Sequence, residues 1–234
     1  MTTDTERTTG GGGREAARGA PGVPWRVLLA AALALGGCAR DGGAAEPVVG
    51  RPCEGCEIVF EGMPAAPGAS ARIAPEGEPG EPMVVEGIVR NAAGKAAPGV
   101  VVYGYHTDAN GIYPRAATRH GRLRGWARTG PDGGYRFDTI RPAGYPGTAI
   151  PQHVHFHVLE PGRCTYYVDD LLFDDDPRLT EAERERQQGR GGPGIARPER
   201  DATGIWRARR DLVLGERVPG YDECERGEGR SGGG

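Results

Sequence analysis

Residues 144–158 read GYPGTAIPQHVHFHV, and the last six of them alternate between histidine and an apolar residue. A period of two is the pattern of a β-strand with one face in a core and the other face turned away from it. The alternation predicts a strand that begins at His153. Val154, Phe156 and Val158 are expected to point into the core, and the three histidines to share the opposite face.

The histidine face of this strand indicates a metal site. Residues i and i+2 of a strand are roughly 6.5–7 Å apart at Cα, so the imidazoles of His153 and His155 can converge on one ion. His157 lies one step further along and is expected not to reach it. The chain has only five histidines, and imidazole is the commonest metal ligand in proteins. For any one of these histidines taken alone, a hydrogen-bonded strand residue is the alternative.

A neighbouring tyrosine favours iron over zinc. A zinc site with two histidines needs a further Cys, His or carboxylate ligand. The conspicuous neighbour is instead Tyr145, in the Gly-Tyr-Pro-Gly turn of residues 144–147. Phenolate is a hard anionic oxygen donor that suits Fe(III), whose charge lowers a tyrosine pKa far below its usual value of about 10.

Two segments resemble the intradiol ring-cleaving dioxygenases, the family of protocatechuate 3,4-dioxygenase and catechol 1,2-dioxygenase. Residues 133–158, GGYRFDTIRPAGYPGTAIPQHVHFHV, are similar to the family's strand, Tyr-Pro turn and Pro-x-His-x-His strand, in that order. Residues 100–115, VVVYGYHTDANGIYPR, resemble the segment with the first tyrosine ligand. The resemblance covers about residues 83–173.

The resemblance implies a non-haem Fe(III) cofactor bound by Tyr113, Tyr145, His153 and His155. It implies a dioxygenase of aromatic compound catabolism whose partners are a catechol-type diol and O₂. In the family the diol displaces one tyrosinate, and the ring opens between the two hydroxyl-bearing carbons to give a muconate-type diacid. By position, Tyr145 is the tyrosine that leaves, which makes it the catalytic residue of the set. Without the resemblance, Tyr113 would equally well be an exposed loop residue.

One position departs from the family pattern. Family members carry an arginine three residues before the first histidine ligand, where it stabilises charge that develops on the ring. This chain has Ile150 there, and isoleucine offers neither a hydrogen-bond donor nor a charge. Arg141 and Arg128 are the candidates to replace it.

A second function class competes with the enzyme. Residues 87–90, 94–95 and 98–100 also resemble non-catalytic β-sandwich modules such as carboxypeptidase regulatory-like domains. On that interpretation the protein is an envelope module that binds iron or diols. Such modules have no need of two tyrosines and two histidines at these spacings, so the dioxygenase ranks first.

The rest of the middle region predicts an all-β fold, an antiparallel β-sandwich with long loops and at most one short helix. A capping box at Thr180 starts the helix, which is expected to end at Gly189. Predicted strands occupy 57–61, 84–90, 99–106, 123–129, 135–140, 165–173 and 211–214, and predicted loops occupy 64–82 and 189–203.

Composition separates a compact middle from loose ends. Glycine (41) and proline (20) are abundant among the 234 residues, and much of the excess lies near the termini. We expect a signal peptide over residues 1–37, a flexible tether over 38–52, the dioxygenase-like domain over 53–224 with its core at 83–173, and a disordered tail over 225–234. The net charge of −3 and the absence of a basic stripe argue against a nucleic-acid partner.

The N-terminal region predicts export. The apolar run of residues 27–35 is too short to span a bilayer but fits the hydrophobic region of a signal peptide. It leads into Leu-Gly-Gly-Cys at 35–38, which resembles a bacterial lipobox and predicts lipidation of Cys38. A plain secretion signal and a buried helix are the alternatives. We therefore expect a lipoprotein of the cell envelope or a secreted protein, which contacts membrane only through a lipid anchor; its oligomeric state is left open.

Four cysteines remain after Cys38: Cys53, Cys56, Cys164 and Cys224. An even number of cysteines outside the cytoplasm suggests disulfides. The pairings Cys53–Cys56 and Cys164–Cys224 are favoured among the three arrangements that four cysteines allow. A redox or zinc motif is the alternative for the Cys-x-x-Cys pair.

Overall fold

The structure is a computed structural model that describes residues 47–50 and 55–227, without the side chains of 225–227. These residues fall within one unit, Ala44–Gly234. The expected signal peptide, Cys38, most of the tether and Cys53 lie outside the described residues, as does most of the tail.

The described chain forms two β-sheets with very little helix. One sheet has the strand order β1-β5-β2-β10-β9, with β11 paired to β2, and the other has the order β4-β3-β6-β7-β8. In chain order the strands are β1 (Ser70–Arg72), β2 (Pro82–Arg90), β3 (Val101–Tyr105), β4 (Arg124–Arg128), β5 (Gly134–Ile140), β6 (His153–Glu160), β7 (Cys164–Phe173), β8 (Ile195–Ala196), β9 (Glu199–Arg200), β10 (Trp206–Arg209) and β11 (Leu212–Val213). The all-β fold expected from the sequence is confirmed.

The core lies between the two sheets. Val154, Phe156 and Val158 of β6 are all buried in it, as their alternation predicts. Phe156 meets Phe137 of β5 with ring centroids 6.2 Å apart. Burial of side chains of this size contributes about 1.5–3 kcal/mol each. This contribution fixes the register of β6, because a shift by one residue would place its histidines in the core.

The opposite face of β6 carries the histidines, and loops cover it. In the antiparallel pairing of β3 with β6, Tyr105 lies opposite His155 and Tyr103 lies opposite His157. Both tyrosines belong to a second buried cluster with Trp126. The Trp126 indole N–H donates to the carbonyl of Val59 at 2.7 Å, which anchors the covering segment.

The sheets are mixed, whereas the sequence predicted an antiparallel sandwich. The pairs β1–β5, β2–β10, β2–β11 and β7–β8 are parallel. β1 lies in the predicted loop 64–82, β8 and β9 lie in the predicted loop 189–203, and the sequence did not predict β10. Strands of two to four residues carry too short a pattern to show a period, and their pairing partners are distant in sequence.

The helices also differ from the expectation. Two short helices occur in the described residues, α1 (Glu181–Glu185) and α2 (Asp222–Gly227), where at most one was predicted. The Thr180 cap is confirmed, since its side chain accepts a hydrogen bond from the backbone N–H of Glu183, but α1 ends before Gly189. α2 contradicts the predicted tail at residues 225–227. The predicted strand 57–61 is wrong, because Ile58–Phe60 forms one 3₁₀ turn. A short apolar run does not distinguish a strand from a helix.

None of the helices in the described part is long and apolar enough to cross a membrane.

A disulfide joins Cys164 on β7 to Cys224 on α2, with a Cα–Cα distance of 5.5 Å. This is one of the pairings favoured from the sequence. Cys56 is also disulfide-bonded.

Removal of the Cys164–Cys224 bridge is expected to lower the free energy of unfolding by about 4 kcal/mol. The bridge closes a loop with a sequence separation of 60 residues, and the chain-entropy description gives about 4 kcal/mol for a loop of that length. Urea denaturation of the Cys164→Ala/Cys224→Ala variant beside the wild type, without reductant, measures the change. A difference below about 1 kcal/mol would contradict the expectation.

Candidate metal centre

The structure brings together the four side chains that the sequence singled out. The hydroxyls of Tyr113 and Tyr145 are 2.8 Å apart. Nε2 of His153 lies 3.1 Å from Nε2 of His155 and 3.3 Å from the Tyr145 hydroxyl, while Nε2 of His155 lies 2.9 Å from the Tyr113 hydroxyl. Two nitrogens and two oxygens from three separate segments therefore converge on one point.

The second nitrogen of each imidazole has a partner of its own. Nδ1 of His153 lies 2.7 Å from the carbonyl oxygen of Pro151, and Nδ1 of His155 lies 2.8 Å from Oδ1 of Asp170. A carbonyl and a carboxylate can only accept, so each Nδ1 carries the hydrogen and each Nε2 presents a lone pair. Two lone pairs that face each other at this distance repel unless a cation lies between them.

The geometry fits one metal ion. Ligand atoms at metal distances of about 2.0–2.1 Å in a tetrahedral arrangement are separated by about 3.3 Å, close to the separations in this cluster. Burial, followed by the neighbouring His155, lowers the pKa of His153, which favours the neutral imidazole that a metal requires. Burial and the adjacent Tyr145 raise the pKa of Tyr113, so a strong cation is needed to turn this phenol into a phenolate. The donor set therefore suits a hard, highly charged ion.

Asp170 is a member of this site that the sequence analysis missed. A β-bulge brings it there: Val154 pairs with Leu171 and Phe156 with Val168, so two residues of β7 lie opposite His155 alone. The carboxyl also accepts a hydrogen bond from the Tyr167 hydroxyl at 3.0 Å. Burial alone would raise the pKa of Asp170, but the electrostatic attraction and hydrogen bond of the His155 N–H outweigh it and hold that pKa below its ordinary value. Asp170 is therefore ionised at neutral pH.

Asp170 lies behind His155, a candidate ligand, and is not itself at the point of convergence. Donor atoms of His153, His155 and Asp170 lie within 4.8 Å of one another. The Asp170 oxygen, however, bonds the Nδ1 side of His155, and the atom of that ring at the point of convergence is Nε2. A carboxylate behind a metal-bound histidine fixes its tautomer and increases its basicity. Two adjacent acidic residues in the middle of a strand were the signal that could have revealed it.

Comparison with known proteins identifies the family. The sequence model of the family described as Dioxygenase matches residues 60–185. The chain belongs to the intradiol dioxygenase family.

The names of two relatives of this dioxygenase-family chain specify different diols. The chain is 36% identical over 97 residues to "Catechol 1,2-dioxygenase 1" of Acinetobacter lwoffii. This match covers 33% of this chain and 31% of that protein. The chain is also 31% identical over 175 residues to "Hydroxyquinol 1,2-dioxygenase" of Nocardioides simplex. This match covers 59% of this chain and 56% of that protein. The chain thus spans about half or less of the length of these relatives.

A solved structure shares the fold. The dioxygenase domain of a dioxygenase–carbohydrate-binding protein fusion from Streptomyces sp. SirexAA-E superimposes with a TM-score of 0.51 at 27% identity. The match covers 66% of this chain and 94% of that domain. The β-sheet scaffold around the site is therefore that of the family.

A cavity of about 180 Å³ opens beside the four donor atoms of this family member. Tyr105, Tyr113, Tyr145 and His155 line it on the side of the metal centre, together with Gly55, Arg119 and His120. Tyr105 stacks on His155 with ring centroids 4.5 Å apart. This volume is below the range of pockets for drug-sized ligands and suits a single aromatic ring.

Neither arginine suggested as a replacement at position 150 lines the cavity. Arg141 donates to both carboxylate oxygens of Asp175 at 2.6 and 2.9 Å and to Gln152. Arg128 donates to the carbonyl of Gly99 at 3.0 Å. Both candidates are wrong, because each guanidinium is engaged elsewhere, and Ile150 itself is 43% exposed.

His157 shares the face of the other two histidines but lies outside the cluster of donor atoms. It is completely buried, and its ring contacts those of Tyr103 and Tyr167 with centroids 5.8 and 5.7 Å apart. The prediction that it does not bind the metal stays a prediction.

Proposed function

We propose that this protein is a non-haem Fe(III) dioxygenase that cleaves catechol-type diols between the two hydroxyls with O₂, giving muconate-type diacids. The observation that carries the proposal is the convergence of two imidazole lone pairs and two phenol oxygens at one wall of a cavity that fits a single ring. Two phenolates favour ferric over ferrous iron, because they are hard anionic donors.

Ferric iron held by Tyr113, Tyr145, His153 and His155 would supply the Lewis-acid and redox chemistry that makes the aromatic ring reactive toward O₂. The chain supplies the rest. His153 and His155 stay in place, since the Pro151 carbonyl and the Asp170 carboxylate hold their Nδ1 atoms. Tyr113 lies between His155 and Tyr145 and completes the fixed part of the set.

Tyr145 is suited to leave and to accept a proton. It lies in the turn of residues 144–147, is partly exposed, and its backbone carbonyl accepts a hydrogen bond from the Thr148 hydroxyl at 3.0 Å. A turn side chain can rotate away without disturbing β6. The Tyr145 oxygen would accept one of the two hydroxyl protons of an entering diol, which would leave the diol as an anion and Tyr145 as a neutral phenol.

Tyr105 would position the ring of the substrate. Its pairing opposite His155 in the sheet and its stack on that imidazole make it a rigid wall of the cavity. An aromatic wall covers one face of a bound ring and excludes water from the reacting carbons.

Oxygen uptake with a panel of substituted catechols tests the proposal. The iron-loaded protein is expected to be red-brown from tyrosinate-to-Fe(III) charge transfer, to change its spectrum with each diol, and to consume O₂ with at least one. Mass spectrometry of the product should show addition of both oxygen atoms. Since Ile150 removes a positive partner of the reacting ring, binding should be easier to detect than turnover. Spectral shifts without oxygen uptake for any diol would instead favour the iron- or diol-binding module.

We also propose that the protein is an envelope lipoprotein attached through Cys38, on the basis of the Leu-Gly-Gly-Cys sequence at 35–38. Cys38→Ser is expected to release the protein from the membrane fraction and to abolish labelling by a fatty-acid analogue. Metabolic labelling followed by fractionation measures both effects, and labelling that persists in the variant would contradict attachment at this residue.

A further inference from the structure

Arg210 is a buried arginine that connects the two sheets and that the proposed mechanism has not used. It is only 1% exposed. Its backbone belongs to the first sheet, since its N–H donates to the carbonyl of Glu86 on β2 at 2.9 Å and its carbonyl accepts from the Tyr135 hydroxyl on β5 at 2.6 Å. Its side chain reaches β7 of the other sheet.

The guanidinium of Arg210 binds backbone carbonyls at the bulge of β7. Nη2 donates to the carbonyl of Asp169 at 3.2 Å and to that of Arg190 at 3.3 Å. Nη1 donates to the carbonyls of Pro193 and Asp211, the latter at 3.0 Å. The planar fork of an arginine can bind several carbonyls at once, and a single ammonium group cannot reproduce that geometry.

The carbonyls need this donor because the edge of β7 has no strand beside the bulge. β7 pairs with β8 further along, but beside Asp169 the neighbour is the loop of residues 189–194. The Asp169 N–H donates to the carbonyl of Arg190 in this loop at 3.1 Å, and Arg210 binds the Asp169 carbonyl. A buried carbonyl without a donor is costly, so the bulge depends on the guanidinium.

The bulge in turn decides where the Asp170 carboxylate lies. Asp169 and Asp170 together lie opposite His155, and a regular strand would place only one residue there and would turn the next side chain to the other face. The loop supports the bulge from outside, where a Cβ atom at Gly194 would lie 2.6 Å from the Asp170 carbonyl oxygen. Held in this way, the carboxylate reaches Nδ1 of His155 at 2.8 Å.

Arg210 also balances the charge of the bulge. Burial lowers the pKa of Arg210, and Tyr135 and the carboxylates of Asp169 and Asp170 act against this. An arginine stays protonated in proteins. The cation therefore offsets the repulsion between two adjacent carboxylates.

We propose that Arg210 is a positioning residue of the metal centre: it binds the carbonyls of the β7 bulge and thereby keeps the Asp170 carboxylate against His155. The inference rests on the metal centre of the proposed function. Arg210 touches neither the four donor atoms nor the cavity, so its effect on the ion passes through Asp170 and His155.

A double-mutant cycle on iron affinity tests this route. Arg210→Lys keeps the charge but loses the fork of donors. It is expected to weaken iron binding by about tenfold in the wild-type background, and by less than about twofold in the Asp170→Ala background, where the support of His155 is already lost. An arginine that served only the fold would have the same effect in both backgrounds. Competition with a chelator measures each dissociation constant, and the charge-transfer band of Arg210→Lys should shift in the same direction as that of Asp170→Asn.

Two further variants separate positioning from structural damage. Arg209→Lys makes the same change at the adjacent residue, whose guanidinium binds the Asp211 carboxylate, and should leave the affinity and the spectrum unchanged. Gly194→Ala presses a methyl group against the Asp170 carbonyl with Arg210 intact, and should show the same dependence on Asp170. If circular dichroism shows that Arg210→Lys is unfolded, Gly194→Ala replaces it in both measurements.

The tautomer of His155 in the metal-free protein gives a second measurement that needs no iron. Nitrogen NMR of isotope-labelled histidine should show the Nδ1–H form in the wild type and a mixture of forms in Arg210→Lys, as in Asp170→Ala. Equal losses of iron affinity in the two backgrounds, or an unchanged His155 tautomer, would overturn the positioning role and leave the dioxygenase proposal standing. A wild type that binds no iron would overturn the dioxygenase proposal, and the tautomer would still decide the role of Arg210.

Discussion

His153→Ala is expected to empty the metal centre, and His155→Ala to do the same. Each substitution removes one of two imidazole nitrogens that lie 3.1 Å apart at the point of convergence, and leaves two phenols whose ionisation depends on the ion. Metal analysis after loading with excess iron and gel filtration measures the effect. The wild type should retain stoichiometric iron and its colour, and both variants should lose them.

His157→Gln is the matched control, because it alters a third histidine on the same face of β6. Its ring packs between those of Tyr103 and Tyr167, so the variant should lose stability but keep iron. Glutamine retains much of the volume, and circular dichroism shows whether the variant is folded. An empty site in the His157 variant together with a full site in the His153 variant would mean that the strand register is wrong.

This histidine strand could be predicted because its period spans a whole element. Six alternating residues decide which side chains face the core, and Phe156 and Val158 lie there. The short strand β1 could not be found in the same way. Its three residues are too few to show an alternating pattern. They form a strand only because they pair in parallel with β5.

The residues of the candidate site also differ in whether the sequence could predict them. The two histidines follow from the strand. Tyr145 follows from its turn beside them and from the resemblance to the family, whereas Tyr113 follows from the resemblance alone. Asp170 depends on a bulge, and a bulge is a property of two paired strands that neither strand shows alone. The roles of the arginines were equally out of reach: Arg141 is held by Asp175, and Arg119 reaches the cavity from a loop without regular pattern.

Asp170→Ala is expected to lower the affinity for iron by about 10- to 100-fold, the usual cost of removing the partner of a metal-bound histidine. The carboxylate accepts from Nδ1 of His155 at 2.8 Å, which holds the ring in its orientation and makes Nε2 a stronger donor. Asp170→Asn can keep an acceptor without the charge, so its loss should be smaller. Both variants should also shift the charge-transfer band, because a weaker imidazole donor leaves the ferric ion more electron-poor.

Asp169→Asn is the matched control for these variants. It makes the same change at the adjacent residue, but the Asp169 carboxylate accepts from the backbone N–H of Gly189 at 2.6 Å and has no bond to His155. Competition with a chelator of known affinity measures the iron dissociation constant, and the visible spectrum of each loaded variant reports the electronic effect. Equal losses in Asp169→Asn and Asp170→Asn, with unshifted spectra, would show that the bulge needs its negative charges for folding and that Asp170 does not tune the metal. A shifted band in Asp170→Asn alone would instead place its effect on His155, since only that carboxylate bonds the ring.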